Sequence, residues 1–474
     1  MIKLTAKNGL TLPKTNEYIT NDVYKKIKKD LVVINPAYLS CVERGTRPVY
    51  KNSAGKYIPI QKMLTFMKEY NNRLELPRGY SYRLSEILKQ KIELKYPECT
   101  DVRNLIDNKL NIELFDYQTK AVNKLLSKSC GILSSPAASG KTIMGIDIVA
   151  KLGLKTLWLV TLDKLAKQAI DSITKFTDCS KEHIGLISQG KYNVGNVFTS
   201  AIINTARKYK KQLAKENFGI VIIDECHHTP AKTVYDVLMS LSPQYLYGLS
   251  ATPKRSDGLD TIIKYMIGPI TEVERCCVVE TDKIITPEIK IIYTNLLIKT
   301  ELGLSGSYAD FMKALVSDEY RNNKILYEII KEIIQTNVCL VLSDRVSHCH
   351  TLYDKLVKIY PFIEIVSGKT KKSESDKIIR KLEEKKITVL ISTYQFLSEG
   401  IDLPIVNRLF FTTPFKADIR TTQAVGRVQR KYAGKNAKIF DFVDENRLTK
   451  GQLNARLEVY KKLGCNISFE RSKI

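Results

Sequence analysis

The segment Ser135-Pro136-Ala137-Ala138-Ser139-Gly140-Lys141-Thr142 constrains this chain more than any other, because it requires a strand before it and a helix after it. The apolar run Gly131-Ile132-Leu133 precedes it, and a helix-compatible stretch from Ile143 to Lys151 follows. Small residues let consecutive backbone N–H groups turn inward around an anion, and a helix starting there adds the positive end of its dipole. In such a loop Lys141 reaches the β- and γ-phosphates of a nucleotide, and the Thr142 hydroxyl holds Mg²⁺. Ser135 stands where the pattern G-x-x-x-x-G-K-S/T has its first glycine. Taken alone, the segment also fits an ordinary Ser/Ala/Gly turn, and the residues downstream decide between the two.

From Asp116 to about Gly268, short apolar runs alternate with amphipathic stretches, giving expected strands at 130–134, 156–160, 219–223 and 245–249. A second array offers 338–342, 362–366, 388–391, 406–411 and 437–443. Continuous β-branched runs between polar segments indicate strands buried on both faces, hence parallel sheets covered by helices. The expected fold class is therefore α/β, with two tandem parallel-sheet domains at 111–275 and 276–474. Residues 1–110 show mixed strand and helix patterns, with turn signals at Asn52-Ser53-Ala54-Gly55 and Pro77-Arg78-Gly79-Tyr80. They are expected to form a small α+β accessory domain, either binding duplex or branched DNA or capping the first sheet.

The chain has 474 residues, which suggests about three domains at roughly 150 residues each. Its formal net charge of +25 points to a polyanionic partner, although a lysine-rich solvated surface has the same composition. No apolar run is long enough to cross a bilayer, and the start lacks a signal peptide's apolar block. A cytoplasmic protein without membrane contacts is expected, or one of the nucleus or a virus factory if its source is eukaryotic or viral. The ten cysteines form no C-x-x-C pair, which fits reduced thiols. His348-Cys349-His350 lacks a second ligand pair at zinc spacing, which argues against a metal cluster there.

Asp224-Glu225-Cys226-His227-His228 follows the expected strand at 219–223. A carboxylate at the C-terminal end of a parallel strand faces the crevice where ligands bind. Asp224 can hold the Mg²⁺ that Thr142 also touches, and Glu225 can orient or deprotonate the attacking water. Ser250-Ala251-Thr252-Pro253-Lys254-Arg255-Ser256-Asp257-Gly258 begins at the next strand end, where small hydroxyls can exchange hydrogen bonds as a γ-phosphate is lost. Gln118, in Phe115-Asp116-Tyr117-Gln118, carries the donor and acceptor that an adenine edge needs. In the second array, Thr393 to Pro404 follows a strand, and Gln423 to Arg430 suits a helix. Arg427 and Arg430, three apart, share one side of such a helix and can neutralise charge on a departing γ-phosphoryl group.

In this order the motifs resemble the superfamily 2 helicases over roughly residues 112–460. The narrower likeness is to the XPB/UvsW type of repair systems, phages and large DNA viruses. It rests on Asp224–His228, the extended Ala251–Gly258, Thr393–Pro404, Arg321-Asn322, and Asp441-Phe442-Val443-Asp444 with Arg456 and Tyr460. Pro77-Arg78-Gly79-Tyr80 is similar to the N-terminal region of phage and viral members.

The resemblance implies two RecA-like domains with ATP and Mg²⁺ as cofactors. It makes Lys141, Asp224, Glu225, Arg427 and Arg430 catalytic. Gln118, Ser135 to Thr142, Gly400 and Asp402 become nucleotide contacts. It places strand contacts at Thr161, with Leu162 and Lys164 beside it, at Thr205 and Arg207, at Ser343 and Arg345, at Ser367, Lys369 and Thr370, and at Thr393. Tyr209, in Arg207-Lys208-Tyr209-Lys210-Lys211, either stacks on a base or belongs to a solvated basic face. The implied activity is 3′–5′ DNA helicase or translocase action on forked or branched DNA, by a monomer or weak oligomer. A duplex translocase without strand separation, an RNA helicase and a non-enzymatic scaffold are the alternatives. The extended Thr252–Gly258 segment leans toward DNA, and the intact set of catalytic residues counts against a scaffold.

Overall fold

In the computed structural model the described residues are 2–470, apart from 8, 16–17, 53–54, 108, 137–138, 229–230, 252–256, 275–284, 295–307, 369, 371, 398–402, 416–418, 430–434 and 445–446. The chain divides into two compact units, the first holding residues 1–136 and 140–274 and the second residues 137–139 and 275–474. Each is built on a seven-stranded, all-parallel sheet, so the α/β class is as the apolar runs require.

In the first unit the strands run Ile184–Ile187, Phe198–Ile202, Thr156–Val160, Ile220–Ile223, Tyr245–Ser250, Cys130–Ser134, Ile270–Glu272 across the sheet. In the second they run Ile363–Val366, Val389–Thr393, Cys339–Ser343, Arg408–Phe411, Lys438–Val443, Glu288–Tyr293, Asn466–Glu470. Numbered by chain order within each unit, both sheets read 3-4-2-5-6-1-7, so one topology occurs twice. The central strands Thr156–Val160, Ile220–Ile223, Cys339–Ser343 and Val389–Thr393 are buried along their whole length. That is why their sequences read as unbroken apolar runs rather than alternating ones.

Residues 1–110 form a five-stranded mixed sheet in the order Lys68–Glu69, Arg73–Leu76, Leu10–Pro13, Ile2–Thr5, Ile92–Lys95, with helices at Asn21–Leu31, Pro36–Glu43 and Ser81–Leu88. This accessory region is α+β, as expected. Its apolar residues Leu10, Leu12, Leu74 and Leu76 belong to the same hydrophobic cluster as Ile132, Leu157, Val221 and Ile263 of the first parallel sheet and its helices. The turn at Pro77-Arg78-Gly79-Tyr80 makes the join. Arg78 is buried and donates to the carbonyls of Ser129, Pro243 and Gln244. A Cβ on Gly79 would lie 2.4 Å from the Gly268 nitrogen, so only glycine permits this approach of the two backbones.

Buried ion pairs fasten the second unit, among them those of Arg456 and Arg321. Arg456 donates Nε and Nη2 to Asp441 at 2.8 and 2.9 Å, and the Tyr460 hydroxyl donates to the same carboxylate at 2.9 Å. Arg321 Nε donates to Asp444 at 2.8 Å. All four charged residues are buried. Removing one partner strands a charge in low dielectric, so Arg456→Ala is expected to cost about 3–5 kcal/mol of stability. Urea unfolding of the full chain measures it, and a loss within roughly 0.5 kcal/mol, the range of an ordinary surface substitution, would contradict the pairing.

No helix among the described residues is long and apolar enough to cross a membrane. The described cysteines are unbridged.

Candidate functional site

In a parallel sheet all C-terminal strand ends lie along one edge, which is where ligands gather. In the first unit that edge carries the expected nucleotide loop, after Cys130–Ser134, and the acidic pair, after Ile220–Ile223. Tyr245–Ser250 lies between these two strands, and Ser135 N donates to Ser250 O at 3.0 Å. Ser135 and Ser139 are buried, while Ala137 and Ala138 lie outside the described residues.

Gly140 ends the loop with φ of +82° and leads into the helix Lys141–Leu152. A Cβ there would meet Gln118 Nε2 at 2.5 Å, so the absent side chain leaves room for the loop to close against Gln118. Gln118 is buried and its carbonyl oxygen accepts Phe115 N–H at 3.0 Å, which fixes the amide beside the loop. Lys141 is the first helical residue; its Nζ lies 3.5 Å from both Ser135 O and Pro136 O. These are long contacts to neutral acceptors, and a phosphate offers the ammonium stronger ones.

Asp224 N donates to Leu159 O at 2.9 Å, and its carboxylate accepts Glu225 N–H at 2.9 Å. Burial pushes the Asp224 carboxyl well above the usual carboxylate range and the neighbouring Glu225 adds to this, while the Lys141 ammonium pulls it back down. Glu225 has φ of +46°, in the left-handed region that non-glycine residues rarely occupy. Its Oε2 lies 3.5 Å from His227 Nδ1, which is itself 2.9 Å from Ser250 Oγ. His227 thus links the acidic motif to the strand end where the next motif starts. The sequence places these two residues in separate motifs, and nothing in their spacing says that they touch.

The arrangement fits a nucleotide triphosphate with a divalent ion. It supplies a lysine at a helix start, a glycine turn that a Cβ would fill, and a buried carboxylate whose charge a cation would stabilise. No cluster of three or more metal-ligating side chains occurs among the described residues. A Mg²⁺ ion held by Thr142 and Asp224 would therefore complete its shell with phosphate oxygens and water, as Mg²⁺ in nucleotide sites does.

Several expected strand contacts also fall at C-terminal strand ends. Thr161 follows Thr156–Val160 and is half-buried, with Leu162 exposed beside it. Thr205 and Arg207 lie on the short helix Ile203–Lys208, and Arg207 pairs with Asp236 at 2.6 Å while staying half exposed. Tyr209 donates its hydroxyl to Gly190 O at 2.7 Å and packs its ring on Tyr192 at 5.0 Å.

In the second unit Ser343, Ser367 and Thr393 stand at three strand ends. Ser343 is fully buried. Its hydroxyl faces His348 Nδ1 at 3.0 Å and accepts Arg345 N–H at 3.2 Å, so Arg345 is the half-buried member of that pair. Thr370 Oγ1 accepts Ser367 N–H at 3.0 Å, closing a small turn, and Thr393 is nearly buried. Arg427 lies on the helix Ile419–Val428, but its side chain lies outside the described residues, as do Arg430, Gly400, Asp402, Lys369 and the Thr252–Ser256 stretch.

Comparison with known families matches residues 111–255 to the type III restriction enzyme res subunit and residues 321–432 to the helicase conserved C-terminal domain. A putative ATP-dependent RNA helicase of Acanthamoeba polyphaga mimivirus is 27% identical over 95% of this chain and 83% of its own length. A putative helicase of Invertebrate iridescent virus 6 is 30% identical over 76% of this chain and 83% of its own. The DNA 3′-5′ translocase XPB2 of Sulfurisphaera tokodaii is 24% identical over 82% of this chain and 94% of its own.

Proposed function

Because the chain belongs to the superfamily 2 helicases of the XPB/UvsW type, and is thus a nucleic-acid-dependent ATPase, we propose that it is a 3′–5′ DNA motor that remodels forked or branched DNA. The observation that carries its ATP-driven part is the convergence of the Lys141 loop and the Asp224-Glu225 pair on one sheet edge, with opposed effects on the Asp224 carboxyl, while polarity and the branched substrate rest on the family resemblance. Bound Mg²⁺-ATP supplies the phosphoanhydride bond whose cleavage drives the cycle.

Toward that substrate the chain's own residues divide the work. Lys141 and the backbone N–H groups of Ser139 to Thr142 would hold the phosphates, Thr142 and Asp224 would hold the ion, and Glu225 would take a proton from the attacking water. Gln118 offers its amide to the base. Arg427 and Arg430 keep the role that the family resemblance gives them, neutralising charge on the leaving γ-phosphoryl, with Gly400 and Asp402 as further nucleotide contacts. The strand contacts are assigned to Thr161, Thr205, Arg207, Arg345, Ser367, Lys369, Thr370 and Thr393, with Ser343 supporting Arg345. These groups suit phosphates rather than base edges. We divide the chain into an accessory region at 1–110 and motor domains at 111–275 and 276–474.

DNA is favoured by the archaeal relative's designation as a DNA translocase and by the extended Thr252–Gly258 segment. The mimivirus relative's designation as an RNA helicase keeps RNA as the second reading. ATP turnover and unwinding on single-stranded DNA, duplex, fork, four-way junction and RNA, across a salt series, separate them. Forked and four-way DNA are expected to stimulate turnover most, with affinity falling steeply as salt rises. Stimulation by RNA equal to or above that by DNA overturns the DNA assignment. Turnover without strand separation on any substrate leaves a pure translocase.

A further inference from the structure

The hydrophobic core is left at Leu31 and rejoined at Phe66, both fully buried. Among the described residues between them, from Val32 to Thr65, none is buried. The segment is nevertheless ordered by its own hydrogen bonds. Its base is an antiparallel ladder pairing Val32 with Thr65, Val33 with Leu64 and Ile34 with Met63. Asn35 then caps the helix Pro36–Glu43, its side-chain oxygen accepting Ala37 N–H at 3.0 Å. Beyond the helix a two-stranded ribbon pairs Val49–Lys51 with Tyr57–Pro59.

That helix buries no residue, and Leu39 and Val42 are exposed on it. On the ribbon Tyr50 is 52% and Tyr57 66% exposed. Tyr50 is paired with Ile58, and Tyr57 with Lys51, so alternation along the strands sets the two rings on opposite faces. Isolated ribbons of this size are marginal in water, and this one presents an exposed ring on each face.

The charge of the segment selects the partner. Arg44, Arg47, Lys51, Lys56 and Lys62 stand against a single carboxylate, Glu43. Lys51 Nζ lies 5.9 Å from the centre of the Tyr57 ring. Exposed aromatic rings interleaved with cations are what a strand with unstacked bases requires, the rings taking base faces and the cations taking phosphates. Lysine is depleted at protein–protein interfaces, whereas Lys51, Lys56 and Lys62 stand among the rings here.

We propose that Val32–Thr65 is an arm that grips unpaired bases where single-stranded and duplex nucleic acid meet, with Tyr50 and Tyr57 stacking on bases and the flanking cations on the backbone. It rests on the nucleic-acid motor assigned above and gives the accessory region a specific task.

The test uses the full-length protein and two DNAs, a fork with 2-aminopurine unpaired at the branch and a fully paired duplex of the same length. Wild type is expected to quench the probe on binding. Tyr50→Ala/Tyr57→Ala is expected to lose the quench and to bind the fork at least about tenfold more weakly, since each base stack carries roughly that factor or more. Binding of the paired duplex should change less than about twofold, and ATP turnover without DNA should not change. Tyr50→Phe/Tyr57→Phe keeps both rings and should restore quench and affinity. An unchanged affinity and quench in the alanine variant overturns the arm and would leave a protein partner as its occupant. Equal losses on fork and duplex overturn base stacking in favour of groove binding. If wild type binds neither DNA, the motor assignment falls first, which separates the two failures.

Discussion

Lys141→Ala is expected to lower nucleic-acid-stimulated ATP turnover by about 10³-fold or more, because on the proposed assignment it removes the cation that would face the charge building on the β- and γ-phosphates. The structure adds a second signature. Asp224 is buried beside Glu225, and both influences favour its protonated form, while the Lys141 ammonium opposes them. A carboxyl with a raised pKa keeps its proton over a pH range in which an exposed one has lost it, and only the deprotonated form binds Mg²⁺. Mg²⁺ affinity in the presence of ATP should therefore fall as pH drops through that raised value. Without Lys141 the fall should begin at a higher pH. Turnover measured against Mg²⁺ concentration at several pH values checks both parts. Hydrolysis undiminished in the variant would remove the phosphate loop from the site, and an Mg²⁺ requirement with the same pH dependence as wild type would uncouple Lys141 from Asp224.

What the sequence made legible, and what it hid, follows from where hydrogen-bonding side chains end up. Thr156–Val160 and Cys130–Ser134 were readable because a strand buried on both faces needs apolar residues at nearly every position. Phe198–Ile202 was not, because Thr199 and Ser200 are fully buried within it and break the apolar run. Asn466–Glu470 lies at a sheet edge, mostly exposed, so its composition is that of a surface loop. The acidic pair and the phosphate loop were legible because their chemistry demands fixed residue types beside a strand. Ser343 shows the limit of that logic. A serine at a strand end looks like a phosphate contact, yet its hydroxyl turns inward to His348, and no letter in the sequence records that direction. The accessory region was expected to be α+β, with a cap on the first sheet as one of its two readings, but the residues that make the join were not legible. Gly79 reads as a turn glycine, whereas its position is dictated by backbone at Ile267 and Gly268, far along the chain.

Glu225→Gln is expected to bind ATP within about threefold of wild type while losing about 10²–10⁴ in turnover, the usual worth of a positioned general base. Glutamine keeps the shape and can still hold a water, but it cannot accept the proton. The geometry argues for Glu225 over Asp224 in this task. Asp224 is buried and its carboxylate is engaged by Glu225 N–H, which suits an ion ligand. Glu225 is partly exposed, and its backbone lies in the left-handed region, which costs a non-glycine residue of order 1–3 kcal/mol. Its contact with His227, and through it with Ser250, keeps the carboxylate oriented. Single-turnover hydrolysis with independently measured nucleotide affinity separates the outcomes, since a lost base lowers kcat and leaves binding intact. Normal turnover with weakened ATP binding would instead make Glu225 a nucleotide ligand, and the proton would have to leave by another group.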